Sequence, residues 1–142
     1  MHIQLLRTDT TSLKVDALVY PEEAPVDLAD GRAVVTTGGN LLCRFVIHVK
    51  VARATDNDAD AKLRAATIAA LERAEELAIA SVGLPSIGAG PFGFEIERCA
   101  RVMLGATIDF RTRARSLQRT VYCLLGAEEF NIFDRVLKEL DR

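Results

Sequence analysis

Apolar and polar residues alternate along the chain in two patterns, one typical of short strands and the other of amphipathic helices. The first third holds short, β-prone apolar runs separated by polar connections. These runs are residues 3–7, 15–20, 33–37 and 44–51. After a polar segment, apolar residues recur at intervals of three and four from Leu63 to Leu77, which predicts a long amphipathic helix.

The second half repeats the strand and helix patterns twice. Residues 79–87 are apolar at nearly every position, and this favours a central strand covered by helices on both sides. Helical spacing follows over 96–110, a second buried strand over 120–126, and a terminal helix over 130–140. This alternation implies right-handed crossovers and therefore an α/β fold with a largely parallel sheet.

Length and composition favour one soluble domain. The chain has 142 residues, of which 49% are hydrophobic and 27% charged, enough for a real core. The formal net charge of −2 gives no electrostatic reason to expect nucleic acid or an anionic membrane as a partner. The arginine-rich stretch 110–119 is interpreted as a solvated helix end and loop.

Cysteine use and the amino terminus indicate the compartment. Cys43, Cys99 and Cys123 are scattered within apolar patterns and form no CxxC pair. They are predicted to be reduced core thiols, which argues against a zinc site. Because there is no secretory signal pattern and no apolar run of membrane-spanning length, we expect a soluble cytoplasmic protein.

The stretch LPSIGAGPFGF (84–94) places three glycines and a proline at the end of the predicted central strand. Ligands of open α/β sheets bind beyond the carboxyl ends of strands. Glycines there can turn their N–H groups toward an anion, and the next helix adds its positive dipole end. A turn that serves only chain reversal explains the same residues about equally well.

Three stretches in this order resemble the macro domain, the α/β/α module that binds ADP-ribose. They are VDALVY, GRAVVTTGGNLLCRFVIHV and LPSIGAGPFGFEIERCARVMLGATIDF. The resemblance runs from about Asp9 to the terminal helix. It implies one macro-like domain over residues 1–142, built as a three-layer α/β/α sandwich with a mixed, largely parallel sheet.

The resemblance also implies a set of ligand-binding residues. Asp9 matches the aspartate that accepts a hydrogen bond from the adenine amino group, and Thr10 offers a backbone N–H to the ring. The loop that wraps the pyrophosphate and distal ribose corresponds to Gly88, Ala89, Gly90, Pro91, Phe92 and Gly93. Phe92 stands at the aromatic position that packs on that ribose, whereas Gly88 lacks the hydroxyl that is common there.

Histidine 48, in FVIHV, matches a position that the family also fills with histidine. We interpret His48 as a structural residue buried at a strand–helix contact. A catalytic role is not expected, because the sequence places no nucleophile or carboxylate partner near it.

Residues 20–31 depart from the family pattern. The asparagine-rich stretch and the first glycine loop are missing, so one helix is expected to be deleted, and Tyr20 and Glu23 fall at the two asparagine positions. Acidic side chains in this segment should repel a pyrophosphate, at a cost on the order of 1–4 kcal/mol per close pair. These are Glu22, Glu23, Asp27 and Asp30. Leu125 stands where many members place an aromatic ring over adenine.

Glu22 and Glu23 offer hard oxygen ligands that suit Mg²⁺, but adjacent loop carboxylates are more often only solvated. We therefore predict no metal, no cofactor and no catalytic residue.

Three functions remain open at this point. The first is a binding module that recognises ADP-ribose or a related adenine nucleotide weakly and without chemistry. The second is a hydrolase that removes ADP-ribose from proteins or deacetylates acetylated ADP-ribose. The third is an assembly unit, because loss of a helix would expose apolar sheet surface that a homodimer would cover.

Overall fold

The computed structural model describes residues 1–22 and 33–141. In these ranges the chain forms six strands and three helices. The strands are β1 (His2–Leu6), β2 (Ala17–Glu22), β3 (Ala33–Thr37), β4 (Phe45–Lys50), β5 (Ser81–Leu84) and β6 (Arg119–Cys123). The helices are α1 (Ala59–Glu76), α2 (Ile96–Phe110) and α3 (Ala127–Leu140).

The strands form one mixed sheet in the order β1-β6-β5-β2-β4-β3. Every neighbouring pair is parallel except β3 and β4, which are antiparallel. The predicted α/β class with a largely parallel sheet is confirmed. Because five strands share one direction, their carboxyl ends lie along one edge of the sheet, which we call the carboxyl edge.

The three helices pack side by side against one face of the sheet and share one apolar core with it. Helix α2 lies between α1 and α3. Tyr122 of β6 and Phe133 of α3 are fully buried, with ring centroids 5.7 Å apart. Full burial of a large apolar side chain contributes about 1.5–3 kcal/mol, so this face supplies most of the stability.

The opposite face of the sheet has a smaller apolar cluster and no helix longer than one turn among the described residues. The segments around Leu13, Val15 and Cys43 cover it. A side chain at Gly83 of β5 would come within 2.7 Å of Leu13 Cδ2. Strand β5 is therefore buried on both faces as expected, but loop side chains rather than a second helix cover one of them.

The observed bounds of the strands and helices agree best with the predicted ones where the apolar spacing is regular. Strand β3 and helix α2 have the predicted bounds, whereas α1 begins at Ala59, one turn before the predicted Leu63. Strand β5 has four residues instead of nine, because the chain leaves the sheet at Pro85. The apolar residues after it fill the start of the glycine loop.

Two further predictions are confirmed by side-chain positions. Cys43, Cys99 and Cys123 are buried free thiols. In the arginine-rich stretch, Arg111 pairs with Asp141 and Arg113 pairs with Glu72. No helix in the described residues has the length and apolar character needed to cross a membrane.

Candidate functional site

The carboxyl edge brings together the segments that the sequence singled out. The Asp9 segment follows β1, Leu125 follows β6, the glycine loop (84–94) follows β5, and Arg53 lies just after β4. Neighbouring strands are about 4.8 Å apart, so these segments form a row of roughly 19 Å from β1 to β4. Such a row suits an extended ligand that lies across several strand ends.

The glycine loop is a compact turn with two left-handed positions. Gly90 has φ of 65° and Gly93 has φ of 83°, a region that side chains disfavour. Residues Gly90–Phe92 form one 3₁₀ turn, closed by a hydrogen bond from the N–H of Gly93 to the carbonyl of Gly90 at 3.0 Å. A Cβ at Gly90 would meet no atom within 4 Å. The outer side of the loop is thus open.

The loop is anchored to the segment that follows β4. The N–H of Ala54 donates to the carbonyl of Phe92 at 2.8 Å, and Arg53 Nη1 donates to the carbonyl of Pro91 at 2.9 Å. These bonds fix the loop beside an exposed guanidinium. A positive charge at the loop rim is favourable for binding an anion.

At Gly88 the absence of a side chain has a packing cause. A Cβ there would lie 3.0 Å from both Leu63 Cδ2 and Phe94 Cδ1. The missing side chain would therefore point into the helix-side core and not toward the open side of the loop. In this chain a serine at position 88 would overpack that contact.

The thiol of Cys99 lies beneath the loop. It is fully buried, and the N–H groups of Gly88 and Ala89 approach its sulfur. Burial raises the pKa of the Cys99 thiol to about 12, and the two N–H groups only partly oppose this. The sulfur stays protonated and supports the loop from below.

The aromatic ring of Phe92 belongs to the core. Only 5% of the residue is exposed, and it joins the main apolar cluster on the helix side of the sheet. Its contribution to the loop is therefore to hold the turn in place.

At the far end of the row, Asp9 caps a short 3₁₀ turn. Its Oδ1 accepts the N–H of Thr11 at 3.0 Å. Burial, and secondarily the charge of Asp9, raise the pKa of Cys123 to about 11, so Asp9 lies near the end of β6. A carboxylate has about four lone-pair sites, so Asp9 can accept another donor. Leu125, which is 68% exposed, stands next along this edge.

The family model of the macro domain matches residues 16–103 of this chain, which is more than half of it. The chain belongs to the macro domain family. The match includes β2 to β5, the glycine loop and the first half of α2.

Relatives and solved structures agree with this assignment. A macro domain-containing protein of Caldanaerobacter subterraneus subsp. tengcongensis is 30% identical over 114 residues, which cover 79% of this chain and 65% of that protein. The present chain thus spans less than two thirds of that relative.

The Oceanobacillus iheyensis macrodomain with ADP superposes with a TM-score of 0.88 and 20% identity, covering 96% of this chain and 90% of that one. A variant of the same protein with ADPR gives a TM-score of 0.87 at 20% identity, with coverages of 96% and 92%. At this identity the two structures show the fold.

In this macro domain His48 does not occupy the predicted position. Its side chain points to the face without helices and is 27% exposed. His48 Nδ1 lies 2.6 Å from Glu22 Oε1, and Nε2 lies 2.7 Å from Thr36 Oγ1. The prediction of a buried strand–helix contact without carboxylate or nucleophile was wrong, since β2, β4 and β3 bring both groups to His48.

The position of Glu22 also bears on the predicted repulsion. Its carboxylate is held by His48 on the sheet face, and its side chain is 22% exposed. Glu23, Asp27 and Asp30 lie outside the described residues. Among residues 1–22 and 33–141, no cluster of three or more His, Cys, Asp or Glu side chains is arranged to hold a metal ion.

An apolar cavity of about 240 Å³ is lined by Tyr20 and Val46, the register partners of His48 and Thr36. Leu18, Tyr20, Leu41 and Val46 form most of its wall, and Thr10 closes one end. The Tyr20 ring meets the His48 ring edge-on, with centroids 6.1 Å apart.

Sequence reasoning missed the group of Glu22, His48 and Thr36 and also Arg53. Strand register, which could only have been guessed from the alternation of residues 45–50, was the missing information.

Proposed function

We propose that this macro domain binds ADP-ribose or a related adenine nucleotide along the carboxyl edge, weakly and without chemical turnover. The observation that carries the proposal is the open glycine loop at the end of β5, with α2 beginning directly behind it. Two structures of one similar macrodomain, one with ADP and one of a variant with ADPR, support this class of ligand.

The glycine loop binds the phosphate groups of the ligand in this proposal. Gly90 leaves open space where the backbone turns, so a phosphate can approach the main chain closely. The amino end of α2 adds its positive dipole end, and Arg53 adds a full positive charge at the rim. Gly88, Ala89, Pro91, Phe92 and Gly93 shape this subsite through the backbone.

Asp9 and Thr10 bind the adenine base in this proposal. Asp9 can accept an adenine N–H while it retains the N–H of Thr11. Leu125 offers an apolar contact but no aromatic face, so a stacking contribution on the order of 1 kcal/mol is missing. Affinity in the micromolar range or weaker is expected.

Isothermal titration calorimetry with ADP-ribose tests the proposal, with ADP, AMP and inorganic phosphate as comparison ligands. Binding should be strongest for ADP-ribose and weaker for AMP. Gly90→Glu should reduce ADP-ribose affinity about tenfold or more, because it puts a like charge at the phosphate position.

Gly39→Glu is the matched control for that substitution. Gly39 also has a positive φ, 60°, and also faces open space, but it lies in the turn before β4. Both variants should lose about 1–2 kcal/mol of stability from backbone strain, and only Gly90→Glu should lose binding. Equal affinity in both variants would place the ligand elsewhere, and no heat at millimolar ADP-ribose would refute binding altogether.

A second candidate function, self-assembly through the face without helices, has a specific observation in its favour. Tyr20 and Leu41, which line the same cavity on this face, are 55% and 40% exposed, which is unusual for large apolar side chains close together. Light scattering on the purified protein tests it. A strict monomer at high concentration would exclude a homodimer.

A further inference from the structure

We propose that Glu22, His48 and Thr36 form a nucleophilic centre that cleaves small esters, with Thr36 as the acceptor of the acyl group. These three side chains lie away from the glycine loop, although the cavity beside them includes Thr10 of the proposed base subsite. The three side chains lie on the outer face of β2, β4 and β3, opposite the helices.

The hydrogen bonds define the proton positions. An ionised carboxylate only accepts hydrogen bonds, so His48 Nδ1 carries a proton and donates it to Glu22 Oε1 over 2.6 Å. In the neutral imidazole the other nitrogen, Nε2, is then an acceptor, and the Thr36 hydroxyl donates to it over 2.7 Å. This is the order of groups that activates a hydroxyl nucleophile.

Strand pairing holds the centre rigid. Tyr20 of β2 pairs with His48, which in turn pairs with Val34 of β3. Thr36 lies two residues beyond Val34 and therefore on the same face. All three functional groups stand on regular strands, which position side chains more accurately than loops do.

The chemistry follows from these positions. Thr36 Oγ1 attacks the ester carbonyl while His48 Nε2 takes its proton, and Glu22 stabilises the imidazolium through Nδ1–H. The alcohol leaves with the proton from Nε2, and an acyl ester remains on Thr36. Water then attacks that ester, gives a proton to His48, and releases the acid, while the Thr36 oxygen regains its proton.

The adjoining cavity indicates the substrate class. Its volume of about 240 Å³ is larger than the roughly 150 Å³ that holds benzene in an apolar protein cavity. Tyr20 and Val46 line it and are the register partners of His48 and Thr36. Esters with a small apolar acyl or aryl group should therefore fit beside the nucleophile.

The probe is p-nitrophenyl acetate, whose phenolate leaves readily. We expect a burst of phenolate when the intact protein reacts with this ester. Peptide mapping of the reacted protein should then find an acetyl group on Thr36. Thr36→Val should abolish both and Thr36→Ser should retain both. His48→Gln and Glu22→Gln should lower the acylation rate, the former about 100-fold.

Two variants serve as matched controls. Thr37→Val removes the adjacent exposed hydroxyl, which projects from the other face of β3, and His2→Gln removes the other histidine, which is exposed on β1. Both should react like the parent protein. Acetylation that is absent, occurs at another residue, or persists at the parental rate in Thr36→Val would overturn the proposal. Thr36→Val should leave ADP-ribose affinity unchanged, so the two sites can fail independently.

Discussion

Glu75 of α1 binds the connection between α2 and β6 through its side-chain carboxylate. Replacing Glu75 should reveal how much one carboxylate stabilises this fold. Its oxygens accept three successive backbone N–H groups, those of Arg115 at 2.9 Å, Ser116 at 2.5 Å and Leu117 at 3.1 Å. The substitution Glu75→Gln keeps the shape but removes the charge and one acceptor oxygen.

The magnitude follows from these three bonds. A hydrogen bond to a charged group contributes about 1.5–3 kcal/mol when it is buried. Because this carboxylate is only partly shielded from water and the glutamine oxygen keeps some of the bonding, we expect a loss of about 1–2 kcal/mol. With a urea dependence of about 2 kcal/mol per molar, the unfolding midpoint should fall by roughly 0.5–1 M.

The pH dependence has a definite sign. Desolvation acts to raise the pKa of Glu75, but the N–H groups of Ser116, Leu117 and Arg115 outweigh it and hold that pKa below its usual value. The stabilisation is then complete above the unfolded-state pKa, about 4.3, and disappears as the pH falls through the lower folded-state pKa. The difference between parent and Glu75→Gln should therefore be full at pH 7 and shrink below about pH 4.

Urea unfolding at several pH values measures this difference, with Glu76→Gln as the control. Glu76 makes only a surface ion pair with Arg73 at 2.8 Å, so its loss should cost at most about 0.5 kcal/mol. The reasoning is refuted if the two variants lose equal stability, or if the Glu75→Gln difference persists unchanged in acid.

Two further predictions concern the packing of buried residues, including those beneath the glycine loop. Cys43, Cys99 and Cys123 are at most 4% exposed, so a thiol reagent should label none of them in the native protein and all three after unfolding; native labelling of Cys99 would contradict the packing. Leu63→Ala should lower the free energy of unfolding by about 3–5 kcal/mol, because Leu63 is fully buried against Gly88; a loss below 1 kcal/mol in urea unfolding would show that the loop does not rest on it.

The elements that depend on local periodicity could be predicted from sequence. Helix α2 has an unbroken stripe of apolar residues, and its observed bounds are the predicted ones. The end of β5 could not be found in this way, because the apolar pattern continues through Ile87 while the hydrogen-bonded strand ends at Leu84. The residues after Pro85 are buried by the loop and not by the sheet.

The glycine loop and the His48 group show the same limit at the level of the site. The loop is contiguous in sequence, so its position at the carboxyl edge could be predicted. The Glu22–His48–Thr36 group joins residues 26 and 12 positions apart, and only the register of three strands brings them together. A shift of one residue in the register of β2 or β3 would turn Glu22 or Thr36 to the other face of the sheet, away from His48.

The shortened connection after β2 links these observations. In a three-layer sandwich the outer face of β2 and β4 lies under helices, where a polar chain such as Glu22, His48 and Thr36 would be shut off from solvent. In the described part of this chain only loop side chains cover that face, and they leave the apolar cavity beside Tyr20 open. This face carries the proposed nucleophile, which is why nucleotide binding and ester cleavage should be measured in the same variants.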